Sequence, residues 1–163
     1  MLEYASVFGG HGTIKLEVGQ REVPMLPVIS VPLSTLLLNP LFNEAAVAPI
    51  MVSSLSSTEA YAEKLRAALT RRDPAPRDLY DLHHAVESGV LDWNNEEFLR
   101  LAARKIATET PTDWLAAARI EAFRRGLVSE LRPVLRPDVY HSLDFTKALA
   151  TITTLANAMK SHL

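Results

Sequence analysis

Two short segments on either side of a double-proline turn carry the densest chemical pattern in the chain. In Glu63-Lys64-Leu65-Arg66-Ala67-Ala68-Leu69-Thr70-Arg71-Arg72, Lys64 and Arg71 lie seven residues apart and so share one face of a helix. After Asp73-Pro74-Ala75-Pro76 come Arg77, Asp78 and Asp81, whose carboxylates, three apart, share a face of a second helix. A lysine is a compact point charge suited to a phosphate, and two convergent carboxylates position a proton acceptor or a cation. The same residues also suit a structural role, in which Arg71 or Arg77 pairs with Asp78 or Asp81 and pins two helices across the turn. Spacing leaves both open. Upstream, Lys15 and Glu17 alternate on one strand face and either meet solvent or look into a cleft.

Other chemistries lack their residues. With no cysteine there is no disulfide, thiolate metal site or cysteine nucleophile. His83 and His84 are adjacent and project about 100° apart on a helix, too far for one metal; His11, His141 and His162 have no ligand partner at useful spacing. No nucleophile elbow or Walker-type loop occurs. A net charge of −2 argues against a generally basic nucleic-acid-coating surface, although Arg66, Arg71, Arg72 and Arg77 make a local patch. The N-terminus lacks the basic and apolar regions of a signal peptide, and stretches such as Val31 to Leu38 are too short and proline-broken to span a bilayer. A cytoplasmic protein without membrane contact is the expectation.

The elements that must position these groups fall in a simple order. Of 163 residues, 48% are apolar and 22% charged, enough for one real core. Leu2 and Tyr4 alternate, Gly9-Gly10-His11-Gly12 interrupts, and Ile14, Leu16 and Val18 alternate again, which predicts a β-hairpin with one buried face. Pro24, Pro27, Pro32 and Pro40 make residues 20 to 45 an irregular arm with an edge strand near Val28 to Val31. A strand over Pro49 to Leu55 precedes Ser56-x-x-Glu59, a capping-box spacing that starts a helix with Tyr61, Leu65, Ala68 and Leu69 on one stripe.

Pro74 and Pro76 stop that helix, and a second runs from about Arg77 to a cap at Gly89. Asp92 or Asn94 is expected to cap a third through Phe98, Leu101, Ala102 and Ile106. Thr110-Pro111-Thr112-Asp113 opens a fourth, carrying Trp114, Leu115, Ala118 and Phe123 and breaking near Gly126 or Pro133. Pro137 separates a last helix, Leu143 to Met159. Strands first and helices afterwards is an α+β arrangement, divided here into a β region over 1–56 and a helical region over 57–163.

The sequence resembles the AbiEii/AbiGii nucleotidyltransferase toxins of abortive-infection toxin–antitoxin systems. The resemblance rests on Glu63-Lys64-Leu65-x-Ala67, Arg71, and above all Arg77-Asp78-Leu79-Tyr80-Asp81-Leu82, with Ile14-Lys15-Leu16-Glu17-Val18 upstream; together they cover roughly residues 12 to 88. It implies a polymerase-β-like fold, Mg2+ and a nucleoside triphosphate, and nucleotidyl transfer to an acceptor, with an antitoxin as partner. In family terms Lys64, with Arg71 and Arg77, holds the triphosphate; Asp81 and nearby Asp78 belong to the active site. Glu17 matches a metal-binding strand carboxylate with Lys15 as its companion. Such transfer is mostly positioning and charge neutralisation.

One departure limits this. The family's Gly-Ser and Asp-x-Asp do not occur before Ile14. The resemblance is therefore to the C-terminal portion of such a protein, a truncated half-site expected to be inactive alone. The alternative is a non-enzymatic module that dimerises or binds an antitoxin through uncovered sheet edge and apolar surface. A third reading is RNA binding through the arginine patch, RNA being one acceptor the resemblance allows. The half-site reading predicts that Lys64, Asp78 and Asp81 converge with Glu17 on one open cleft, and it requires Lys64 and Asp81 to lie within ~12 Å, the reach of a lysine plus a bridged ligand.

Overall fold

In the computed structural model, which describes residues 2–5, 9–15, 23–35, 38–109, 113 and 116–163, strands come first and helices follow. This is the α+β order expected from the sequence. Strands β1 (Leu2–Ala5) and β2 (His11–Ile14) pair antiparallel, Leu2 opposite Ile14 and Tyr4 opposite Gly12. The Tyr4 ring covers Gly12 so closely that a side chain there would collide with it. The expected buried face is absent among the described residues, for Leu2, Tyr4 and Ile14 are each about half exposed; Leu16 and Val18 lie outside the described residues.

Strands β3 (Ile29–Leu33) and β4 (Ile50–Ser54) form a second antiparallel pair, Val31 opposite Val52. Pro32 is tolerated in β3 because a two-stranded sheet leaves each strand an open edge where no amide is required.

Helix α1 (Ser57–Thr70) starts where the capping box places it: the Ser56 hydroxyl accepts from the Glu59 amide at 3.2 Å. The second arm of the box is diverted. Glu59 turns its carboxylate to the chain's irregular arm, accepting from the Met25 and Leu26 amides at 2.7 and 2.8 Å. Helix α2 (Pro76–Glu87) begins on a proline, whose missing amide costs nothing in a first turn, and closes through Gly89 at φ +70°.

Helix α3 (Glu96–Ile106) is capped by neither expected residue. Asn95 caps it, accepting from the Phe98 amide at 3.0 Å, while Asp92 accepts from the Asn94 amide in the turn before. Of the expected start at Thr110 to Asp113, residues 110–112, with Trp114 and Leu115, lie outside the described residues. Asp113, expected in the first turn, instead precedes the helix in a turn where its carbonyl accepts from the Ala116 amide at 3.1 Å. Helix α4 (Ala117–Gly126) passes at Gly126 into one π-helical turn, Leu127–Leu131. Pro137 opens a short helix α5 (Pro137–Ser142), and Asp144 caps α6 (Phe145–Lys160) with bonds from Thr146 and Lys147.

The core belongs to the helices. α1 packs on α3 and α2, and α2 packs on α6. Leu65, Leu79, Leu82, Phe98 and Leu155 are fully buried between them. Burying side chains of this size contributes about 1.5–3 kcal/mol each.

Candidate functional site

The site lies where α1 and α2 run side by side after the double-proline turn. Lys64 Nζ donates to Asp81 Oδ2 at 2.5 Å, so the two residues meet well inside the reach required. They lie on the wall of an open groove of about 490 Å³ that also draws on Ser57, Tyr61, His84 and Ser88. One and two turns towards the proline turn, Arg71 Nη1 donates to Asp78 Oδ2 at 3.0 Å. The pairing thus runs as two rungs, with Lys64 of α1 and Arg71 at its C-terminal cap as cations and Asp81 and Asp78 of α2 as carboxylates.

The two carboxylates differ in environment. Asp81 is partly exposed, but Asp78 is buried, with 5% of its surface accessible. Burial pushes the Asp78 pKa up, and the neighbouring Asp81 adds to this; the charges of Arg71, Lys64 and Arg77 oppose without cancelling it. Arg77 is exposed on the first turn of α2 and acts on Asp78 through its charge.

Behind this ladder, α1 is fixed by a second set of charges on its other side. Lys105 of α3 is 1% exposed and bridges Glu59 at 3.0 Å and Glu63 at 2.5 Å. Glu63 in turn accepts from Arg66, which reaches Glu109 at 2.5 Å. Burial raises the Glu59 pKa, but the two arm amides and Lys105 outweigh it, leaving the carboxyl below its ordinary range. Burial likewise opposes the charged Arg66, and its two glutamate partners reverse that effect. From α4, Arg119 donates to the carbonyls of Ala68 and Arg71, both at 2.6 Å.

The family described as Nucleotidyl transferase AbiEii toxin, Type IV TA system, matches residues 1–158, nearly the whole chain. The chain belongs to this AbiEii family. No curated protein and no solved structure matches it. Membership makes this a nucleotidyltransferase-like toxin of a type IV toxin–antitoxin system.

Against this AbiEii background, the residues singled out from sequence fall into three groups. Lys64, Asp81, Arg71 and Asp78 come together as the ladder. Arg77 sits at its edge, and Lys15, exposed just after β2, does not line the groove. Glu17 lies outside the described residues. Of the histidines, His83 bonds Thr151 at 2.9 Å and His84 packs edge-on to Tyr80.

Sequence reasoning missed Lys105 and Arg119. Both left a signal: Lys105 continues the apolar series Phe98, Leu101, Ala102, and Arg119 precedes Phe123 by one turn, so each charge sits on a buried stripe. Among the described residues, no helix is long and apolar enough to cross a membrane.

Proposed function

We propose that this AbiEii-family chain holds a nucleoside triphosphate along the α1–α2 ladder, as part of a nucleotidyl-transfer site. Lys64 takes the phosphates, Arg71 and Arg77 extend the cationic edge, and Asp81, with Asp78 near it, acts at the reacting end. The observation that carries this reading is the meeting of Lys64 and Asp81 on the wall of an open groove. A partly exposed pair is a weak structural asset. Its lysine can leave the aspartate for a phosphate oxygen at little cost, and the freed Asp81 becomes available as a proton acceptor.

Asp78 supports the same reading. A carboxyl whose pKa is raised by burial costs the fold stability when ionised, so its placement is poorly explained by stability alone. Mg2+ is the family's expected companion of the triphosphate. Among the described residues no three carboxylate or imidazole groups converge to hold a metal, and Asp78 is already held by Arg71. Mg2+ beside a triphosphate needs only one or two protein carboxylates; the partly exposed Asp81 would serve, together with Glu17, which lies outside the described residues.

Equilibrium binding of each nucleoside triphosphate, with and without Mg2+, tests the reading, alongside transfer of α-labelled nucleotide to RNA. Saturable binding that Lys64→Ala weakens by about 10- to 100-fold, the loss of one charge-assisted hydrogen bond, supports it. Binding unaffected by Lys64→Ala, or no binding at any concentration, sinks it.

A second reading, a docking module for an antitoxin or a second copy, is favoured by one specific observation. Leu2, Tyr4, Ile14, Leu33, Ile50 and Met51 expose apolar surface on two open-edged strand pairs. Size-exclusion chromatography at high concentration, with and without the antitoxin, tests it. A clean monomer in both runs removes it.

A further inference from the structure

We infer that Arg119 is a positioning residue, through which α4 clamps the α1–α2 turn and sets where Arg71 meets Asp78. Its bearing on ligand rests on the nucleotide-binding reading above; the positioning itself does not.

A helix end demands something here that α1 does not supply. The last carbonyls of a helix lack partners and carry the negative end of its dipole, which a nearby cation satisfies. α1 has no basic residue in its last turn, and its chain leaves at Arg71 in extended conformation without a glycine. Arg119 provides the cation from another helix. Its two terminal nitrogens reach the Ala68 and Arg71 carbonyls, one each, in the fork geometry that only a guanidinium offers.

The side chain is sacrificed to this task. Arg119 is 9% exposed, burial pulls its pKa down, and among the described residues its Nε is buried without a hydrogen-bond partner, so the two carbonyls are the polar contacts that hold the fork. Phe123, one turn on, lies beneath it with the guanidinium carbon 5.7 Å from the ring centre.

The same face of α4 also touches the far side of the turn. Arg119, Phe123 and Gly126 recur at i, i+4 and i+7, and all three are buried. At Gly126 a Cβ would lie 2.9 Å from Pro76 Cγ, so the α4 backbone abuts the first residue of α2. One helix face therefore grips the end of α1 and the start of α2, while the turn between them, from Arg72 to Ala75, spans the gap. Arg71 is the residue most directly held: Arg119 fixes its carbonyl, and its own side chain donates to Asp78. Shifting that backbone moves the second rung of the ladder.

Arg119→Met and Arg119→Lys in the full chain test this, with the Asp78 carboxyl followed by carbon NMR across pH. The charged groups acting on Asp78 are Lys64 from α1, Arg71 at the α1 C-cap, and Arg77 and Asp81 on α2. With Arg71 released, its lowering effect fades, so the Asp78 titration midpoint moves up in Arg119→Met. Arg119→Lys keeps the charge but loses the fork, and moves the midpoint by less. Nucleotide affinity, measured in parallel, falls roughly 10-fold, the scale of losing one charge-assisted hydrogen bond.

An unchanged Asp78 titration in folded Arg119→Met overturns the inference and leaves Arg119 a plain helix cap. Where Arg119→Met fails to fold, an unchanged titration in Arg119→Lys overturns it equally. If the wild-type chain binds no nucleotide, the nucleotide reading fails, while the titration still decides the positioning.

Discussion

Lys64 and Asp81 are seventeen residues apart in sequence and 2.5 Å apart across the α1–α2 groove, each about a third exposed. An ion pair in that setting contributes about 0.2–1 kcal/mol to stability. Lys64→Ala is therefore expected to leave the urea midpoint nearly unchanged. It should weaken triphosphate binding by about 10- to 100-fold, the loss of one charge-assisted hydrogen bond of about 1.5–3 kcal/mol. Denaturation and titration calorimetry on the same preparation check both halves.

Lys105 is the opposite case. It is 1% exposed between Glu59 and Glu63, so Lys105→Met leaves two glutamates without their shared cation inside the fold. The expected cost is about 3–5 kcal/mol, typical of breaking a buried pair on one side. Adding Glu59→Gln should recover part of that loss, because the uncompensated buried charge is then gone. A double-mutant cycle by denaturant unfolding measures it.

Two carboxyls bend the pH dependence in opposite directions. Glu59 has a folded pKa below the ordinary carboxyl value of 4.5, so its stabilisation is present above that value and is lost as pH falls through the folded pKa. Asp78 has a folded pKa above 3.8, so it favours the fold while protonated and costs stability as pH rises from 3.8 through its folded value. Glu59→Gln should flatten the acid limb of the stability profile. Asp78→Asn should raise stability at neutral pH. Denaturant titrations from pH 3 to 8, a window chosen to span both carboxyls, show whether the limbs move as stated.

Gly126→Ala sets two effects against each other. Alanine gains about 1 kcal/mol of helix propensity over glycine. The new methyl meets Pro76 Cγ at 2.9 Å, a rigid ring at the start of α2, and overpacking of that kind costs about 1–3 kcal/mol. A net loss is expected, read as a lower thermal midpoint.

Much of the helical half was legible because local signals agreed there. Pro74 and Pro76 force a break, Ser56 caps, and Gly89 closes, each through a backbone rule that needs no tertiary partner. Asn95 was missed because Asp92, Asn94 and Asn95 all carry suitable oxygens, and only the tertiary placement of Phe98 selects among them. The strand region was less legible. Its prolines and glycines mark turns, but the pairing of β3 with β4 across residues 34–49 depends on contacts that no short spacing encodes. In the site, spacing put Lys64 with Arg71 and Asp78 with Asp81, yet which cation meets which carboxylate depends on the length of the turn and the grip of α4. Lys105 and Arg119 were missed because a lone charge on an apolar stripe names no partner.

The diversion of Glu59 from its own helix start to the amides of Met25 and Leu26 bears on how the molecule opens. Two-stranded ribbons are marginal by themselves, and both pairs here leave apolar side chains in water. The arm's hold on the bundle thus combines this carboxylate grip with Met25 and Leu26 packed against the helical core. Amide hydrogen exchange should accordingly be graded in two tiers: fast, low-energy opening in the ribbons, and protection near the global limit in α1, α2, α3 and α6. Met25 and Leu26 should exchange more slowly than the ribbon amides around them, marking the seam between the tiers.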